Sequence, residues 1–253
     1  MEELLALLDR YAPGYRGRIQ GVYGWRLDEL EERFGRPCPG FYRAFAAAMG
    51  AEGGPLLDGL HEYHPSKIAE LYELAPWMPP RRFLYILGDA SPDGQHTFLD
   101  LDAPSEAEDC QVVRFPFGEQ TWKTRLTRRF ASLREMLFVL AMRNVHLPTF
   151  PHRAEHLAAD GPAGAPPSAE DAAVVFERLG FTRLPYPRRC LLFERQDAAI
   201  LLYRRPDEPG FSIRVGMRDA AKLRSFQAIV EDSAGLIEWR GAASVNTGSA
   251  EGR

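Results

Sequence analysis

The first apolar residues, Leu4, Leu5, Leu7 and Leu8, recur at helical spacing and predict a short helix that Pro13-Gly14 ends. Leu27, Leu30 and Phe34 predict a second helix from near Asp28, with Gly35 as its stop. Pro39, behind Cys38, suits the first turn of a third helix, where its missing N–H is no loss, and Phe41, Phe45, Ala48 and Met49 form the inward stripe. The spacing then shortens. Residues 83–87 and 97–101 read as two strands around the turn "GDASPDGQ", and 111–115 as a third. Ser132 and Glu135 form a capping box for a helix over 132–143, with Leu133, Met136, Leu137 and Leu140 inward.

Between His146 and Asp171 the chain reads "HLPTFPHRAEHLAADGPAGAPPSAED", rich in Pro, Gly and Ala and without sustained periodicity. That composition predicts a linker over 148–167. Beyond it, Ser168 and Asp171 cap a helix carrying Val174, Val175, Phe176 and Leu179, which Gly180 stops. Strands are expected at 190–194, 199–203 and 211–215, then a helix with Leu223, Phe226, Ile229 and Val230, and a short strand at "LIEW". The fold class is therefore α+β. Residues 1–147 would pack helices on a mixed or antiparallel sheet, 168–240 would form a smaller helix–three-strand–helix module, and 241–253 a flexible tail.

Composition narrows the class further. With 45% hydrophobic and 26% charged residues the 253-residue chain can bury a real core, which excludes global disorder. A net charge of −4 argues against a general nucleic-acid binder. The start "MEELLALLDRYAPG" is acidic where a secretory leader would be basic, and no stretch approaches the ~18 apolar residues of a membrane span. Cys38, Cys110 and Cys190 lie far apart, with no metal-ligand spacing. These features predict a cytoplasmic protein with reduced thiols, no cofactor and no membrane contact.

Three stretches could carry chemistry. "HRAEH", from His152 to His156, matches the H-x-x-E-H pattern of some zinc peptidases, which needs a helix to bring both imidazoles and Glu155 together. The flanking Pro148, Pro151, Gly161 and Pro162 oppose that helix, so linker is the expected state and metal-dependent hydrolysis a remote alternative. "DASPDGQHTFLD", from Asp89 to Asp100, spaces its oxygens as a calcium loop does, but its flanks read as strands and a hairpin turn needs the same residues. "FERLGF", Phe176 to Phe181, resembles the helix-to-strand corner of glyoxalase-like modules; no His follows His156, so a structural corner is expected. No nucleophile elbow or phosphate-binding loop is present, so no catalytic or metal-binding residue is assigned.

Charge is distributed unevenly. From Glu52 to Glu119 there are thirteen acids against four bases, net −9, whereas Gln120 to Leu147 holds six bases against Glu135, net +5. The acids Asp89, Asp93, Asp100, Asp102, Glu106, Glu108 and Asp109 gather around the expected hairpin. Such a run is either a solvated turn and loop or a face that steers a basic protein partner, such as a nuclease-like toxin, into contact.

The order of the N-terminal pieces resembles the SUKH superfamily: "LDELEERFG", then "PCPGFYRAFAAAMG", Gly53-Gly54 and "FLYILGDASPDGQHTFLDL", followed by "VVRF" and "SLREMLFVL". The match covers roughly residues 25–145, with Cys38-Pro39, "MGAEGG" and Gln95 departing from the usual motif. The resemblance implies an α+β fold that works by binding protein without catalysis. Many bacterial members look like immunity proteins that neutralise a toxin, and others are intracellular scaffolds or regulators, including a cell-wall-synthesis-regulator type.

Overall fold

The computed structural model describes residues 1–89, 94–105, 108–158 and 167–239. Helix α1 (Glu2–Tyr11) buries the four expected leucines, and a 3₁₀ turn at Tyr15–Arg18 leads to α2 (Gly24–Phe34). The latter starts a turn earlier than its apolar stripe, because Gly24 and Trp25 are exposed and leave no apolar signal. Gly35 ends it at φ 78°, a left-handed conformation that glycine adopts without strain. Helix α3 (Gly40–Met49) buries Tyr42, Phe45, Ala46 and Met49. Phe41 and Ala48 are only half-buried, so the inward stripe is rotated from the expected one.

Five strands then form one antiparallel sheet in sequence order: β1 (Leu60–His61), β2 (Phe83–Asp89), β3 (Gln95–Pro104), β4 (Cys110–Pro116) and β5 (Thr127–Phe130). Two helices interrupt them, α4 (Pro65–Leu74) after β1 and the single-turn α5 (Thr121–Thr124) before β5. Helix α6 (Leu133–Leu140) follows, and the Ser132 hydroxyl accepts the Glu135 N–H as the capping box requires. Its continuation widens into a π-helical turn at Ala141–His146 and closes with a 3₁₀ turn at Leu147–Thr149.

The second sheet has six antiparallel strands in the order β11-β6-β10-β9-β8-β7. They are β6 (His152–Ala158), β7 (Thr182–Arg183), β8 (Leu191–Arg195), β9 (Ala198–Arg204), β10 (Phe211–Met217) and β11 (Leu236–Glu238), with helices α7 (Ala169–Arg178) and α8 (Ala220–Ala234) between them. The expected linker is corrected here. Residues 152–158 are an inner strand, with His156 opposite Ile213 and Glu238 opposite His156 in register. Ala154, His156 and Ala158 make the inward side of β6, too weak an apolar alternation to read as a strand between Pro151 and the glycines. Residues 159–166 and 240–253 lie outside the described residues.

Each face of this sheet has its own neighbour. Ile200, Leu202, Ile213 and Val215 pack with Phe176 of α7 and Phe226 and Val230 of α8. The expected Val174 and Ile229 are instead 44% and 38% exposed, and Ala172 and Ala173 take the inward positions. On the other face Cys190, Leu192, Ala199 and Leu201 join the same core as Leu137, Met142 and the first sheet. Gly216 is required there, since a Cβ at that position would lie 2.8 Å from the Phe150 ring. Glu135 ties the halves together: its buried carboxylate accepts the Ala131 N–H at 2.7 Å and the Cys190 N–H at 3.0 Å.

Candidate functional site

The seven acids singled out in the sequence do not make one face. Asp100 is buried and receives Nε and Nη2 of Arg82, both at 2.6 Å, a bidentate pair that closes the β2–β3 ladder. Asp109 is also buried, and its carboxylate accepts the N–H groups of Cys110 at 2.7 Å, Leu133 at 3.2 Å and Arg134 at 2.8 Å. It thus holds the start of α6. Burial pushes its carboxyl above the usual range, while those backbone donors pull it back. Both aspartates are structural and are withdrawn as partner contacts.

Asp102 and Glu108 are exposed. Asp102 already faces Arg36 at 3.3 Å and Arg82 at 3.8 Å, so its charge is largely answered within the chain. Both also lie at the far end of β3 from the hairpin. Gln95, near the hairpin turn, and Asp102 are seven residues apart along β3, roughly 23 Å at strand rise. Asp89 ends β2 opposite Leu60, near the hairpin, while Asp93 and Glu106 lie outside the described residues. The acidic run in the sequence is therefore folded to opposite ends of the sheet.

Neither candidate metal motif assembles. In β6, His152 and His156 share one side of an extended strand and Glu155 points to the other, where it meets Arg214 at 3.2 Å. The twelfth residue of the calcium-like stretch, Asp100, is taken by Arg82. Among the described residues no group of three or more His, Cys, Asp or Glu could hold a metal ion. Gly180 and Phe181 close the "FERLGF" corner through N–H bonds to the Glu177 and Phe176 carbonyls.

A different site lies on the first sheet between the end of β1 and the end of β4. An open cleft of ≈ 720 Å³ lies between the C-terminal half of α4, the segment after it and the end of β4. Its floor is aromatic: Tyr85 stacks on Phe117 with ring centroids 5.7 Å apart and planes 6° from parallel, and Trp77 meets Phe117 edge-on at 6.3 Å. Leu74, the last residue of α4, stands at its mouth 69% exposed. Glu62, Glu70 and Glu119 rim it against one base, Lys67, which pairs with Glu70 at 2.8 Å.

The Glu62 carboxylate accepts the Tyr85 hydroxyl at 2.7 Å. Burial, then that carboxylate, pushes the Tyr85 phenol far up, so it stays a donor and fixes the aromatic floor. Glu62 follows β1 in a left-handed conformation, φ 54°, a strained position for a non-glycine residue. Pairing of His61 with Gly88 places it beside the end of β2. Sequence reasoning missed these residues because three separated segments supply them. The one local signal is "YELAPWMPP", where Leu74 and Trp77 fall off the buried side of α4 defined by Ile68 and Ala69. No protein-family model matches the chain, and no curated protein matches it in sequence.

Proposed function

We propose that this is a non-catalytic binding protein that receives a basic protein partner in the cleft between α4 and the first sheet. The occupant is an apolar or aromatic side chain on a Lys- or Arg-bearing loop, the apolar part seated on Phe117 and Trp77 and the charges facing Glu62, Glu70 and Glu119. The observation that carries this reading is an exposed apolar cleft whose rim is acidic, three carboxylates to one ammonium. An apolar floor supplies affinity, and the rim supplies orientation and encounter rate. With the SUKH-like order of the N-terminal elements, the partner is a nuclease-like toxin and the protein a cytoplasmic immunity protein that neutralises it by binding.

The test is to recover the partner from the native organism at moderate salt and measure its association with purified variants. One near-stoichiometric basic toxin is expected. Leu74→Asp should weaken its binding by at least about tenfold, since it places a charge on the apolar contact. Replacing Glu62, Glu70 and Glu119 by Gln should slow association about three- to tenfold at low salt and little at high salt. A partner that binds Leu74→Asp as tightly as the native protein removes the cleft from the interface. Recovery of a housekeeping or envelope-regulating protein instead makes the protein a scaffold.

A further inference from the structure

The β5 edge of the first sheet abuts the second sheet, and the seam between them holds a partly enclosed cavity of ≈ 220 Å³. Arg129 enters from β5, Arg143 from the π-helical turn, Arg214 and Ser212 from β10, Tyr203 from β9 and Glu155 from β6. A second groove of ≈ 420 Å³ shares Arg143, Glu155 and Arg214 and adds Arg153, Glu238 and Trp239. Across the two, four guanidinium groups meet two carboxylates, net +2.

Arg129 is the decisive group. Its Nε is buried and has no hydrogen-bond partner among the described residues. Its guanidinium carbon lies 5.7 Å from the centre of the Tyr203 ring, and the Tyr203 hydroxyl donates to the Arg129 carbonyl at 3.2 Å. Burial weakens the hold of Arg129 on its proton; Tyr203 opposes this, Arg205 and Arg114 reinforce it, and the Glu208 carboxylate opposes it. A half-buried guanidinium whose Nε lacks an acceptor is costly, and the nearby charges of Arg205 and Arg114 add to that cost. An anion seated among Arg129, Arg143 and Arg214, the last of which also pairs with Glu155 at 3.2 Å, would offset both. The π-helical turn contributes as well, since such local widenings recur where a helix must aim a side chain into a site.

We infer that the seam binds a small phosphate monoester. A dianionic phosphate matches the net +2 and the forked donors of arginine. The phosphate would take the inner cavity, which Arg129, Arg143 and Arg214 line, and the organic part the adjoining outer groove beside Trp239. That ring is 53% exposed, and its backbone N–H is fixed at 2.7 Å to the Glu155 carbonyl. A planar base or ring can lie against it. The enclosed phosphate position favours a small molecule over a nucleic-acid strand, which needs an open track.

Calorimetric titration of the full chain with AMP and with inorganic phosphate, at matched ionic strength, tests this. Saturable one-to-one binding of both is expected, AMP at least tenfold tighter, with Trp239 fluorescence quenched by AMP and the signal lost in Trp239→Phe. Arg129→Gln should weaken both ligands at least tenfold while the ligand-free protein melts no lower than the native one. A purely structural arginine would give the reverse, a lower melting temperature and unchanged affinity. Arg214→Gln supplies a second variant if Arg129→Gln does not fold, and Leu74→Asp, in the separate α4 cleft, should bind AMP normally. No heat with either ligand up to millimolar concentration, equal affinity in both arginine variants, or tighter binding of a single-stranded oligonucleotide than of AMP would overturn the inference.

Discussion

Phe45 and His156 are both fully buried, and they respond to opposite kinds of change. Phe45 is 1% exposed at the centre of the packed side of α3. Phe45→Ala removes the ring and leaves a cavity, so it should cost about 3–5 kcal/mol in urea unfolding at neutral pH. His156 lies on the inward side of β6, and neither ring nitrogen has a hydrogen-bond partner among the described residues. Burial holds its pKa below the ordinary 6.5, while Glu238 and Glu231 oppose that shift. The sign follows from proton counting. Between its folded value and 6.5 the unfolded chain binds more protons than the folded one, so stability rises with pH across that window and is fully present above 6.5. His156→Leu should therefore flatten the fall in stability as pH drops below 6.5 and leave the slope above it unchanged. His64 and His146, also lowered by burial, will keep part of the native pH dependence. An equal acid-side slope in both proteins would mean that His156 does not titrate across this window.

Helix α6 depends on acceptors outside its own ladder. Glu135 in its first turn receives the Ala131 and Cys190 N–H groups, and Asp109 receives those of Leu133 and Arg134. Glu135→Leu leaves one buried and one half-buried donor without partners and should cost about 2–4 kcal/mol, with Glu135→Gln, which keeps one acceptor, costing about half. Amide exchange of Cys190 should accelerate in both, and an unchanged rate would show that this bond does not hold β8. The cap at Ser132 was legible because it is local: four residues carry the whole signal. The reach of Glu135 to Cys190, 55 positions away, was not, because only the packed fold sets it. The same distinction separates what periodicity found from what it missed. Strands β2, β3, β4, β8 and β9 bury runs of apolar residues and β10 an alternation, so they announce themselves. Strand β1 has two residues, β5 carries Thr127, Arg128 and Arg129, and β6 offers small side chains and histidine, so none gives an apolar alternation. The cleft was illegible for a related reason. Its acids lie at Glu62, Glu70 and Glu119, sparse in sequence, while from the dense run Asp100 serves as an internal pair, Asp109 as a helix anchor, and Asp102 and Glu108 stand exposed at the far end of β3.

A Pro- and Gly-rich stretch between two structured halves suggests two independent folding units, but the packing contradicts independence. The apolar side of α6 and the π-helical turn is shared: Leu133, Met136, Leu137 and Met142 belong to one core with Cys190, Leu192, Ala199 and Leu201 from the second sheet. Tyr11 of α1 accentuates the union, since its hydroxyl donates to Glu194 of β8 at 2.5 Å while its ring stacks on His146 at 4.1 Å. Removing β6 to β11 would bare that side of α6 to water and leave the Glu135 carboxylate without one of its donors. A chain ending at residue 147 should therefore lack the native core, bind a hydrophobic dye and lose a sharp thermal transition, although every predicted element of the first half is present in it. The full chain should instead unfold in one transition, with far-UV signal and Trp fluorescence coincident. If the 147-residue fragment melts as sharply as the whole protein, the shared core contributes little and the halves are separate domains. If it does not, the seam is an integral part of the fold. Its arginines would then be held in place by both sheets, and a phosphate ester bound there would raise the stability of the whole chain in proportion to its saturation.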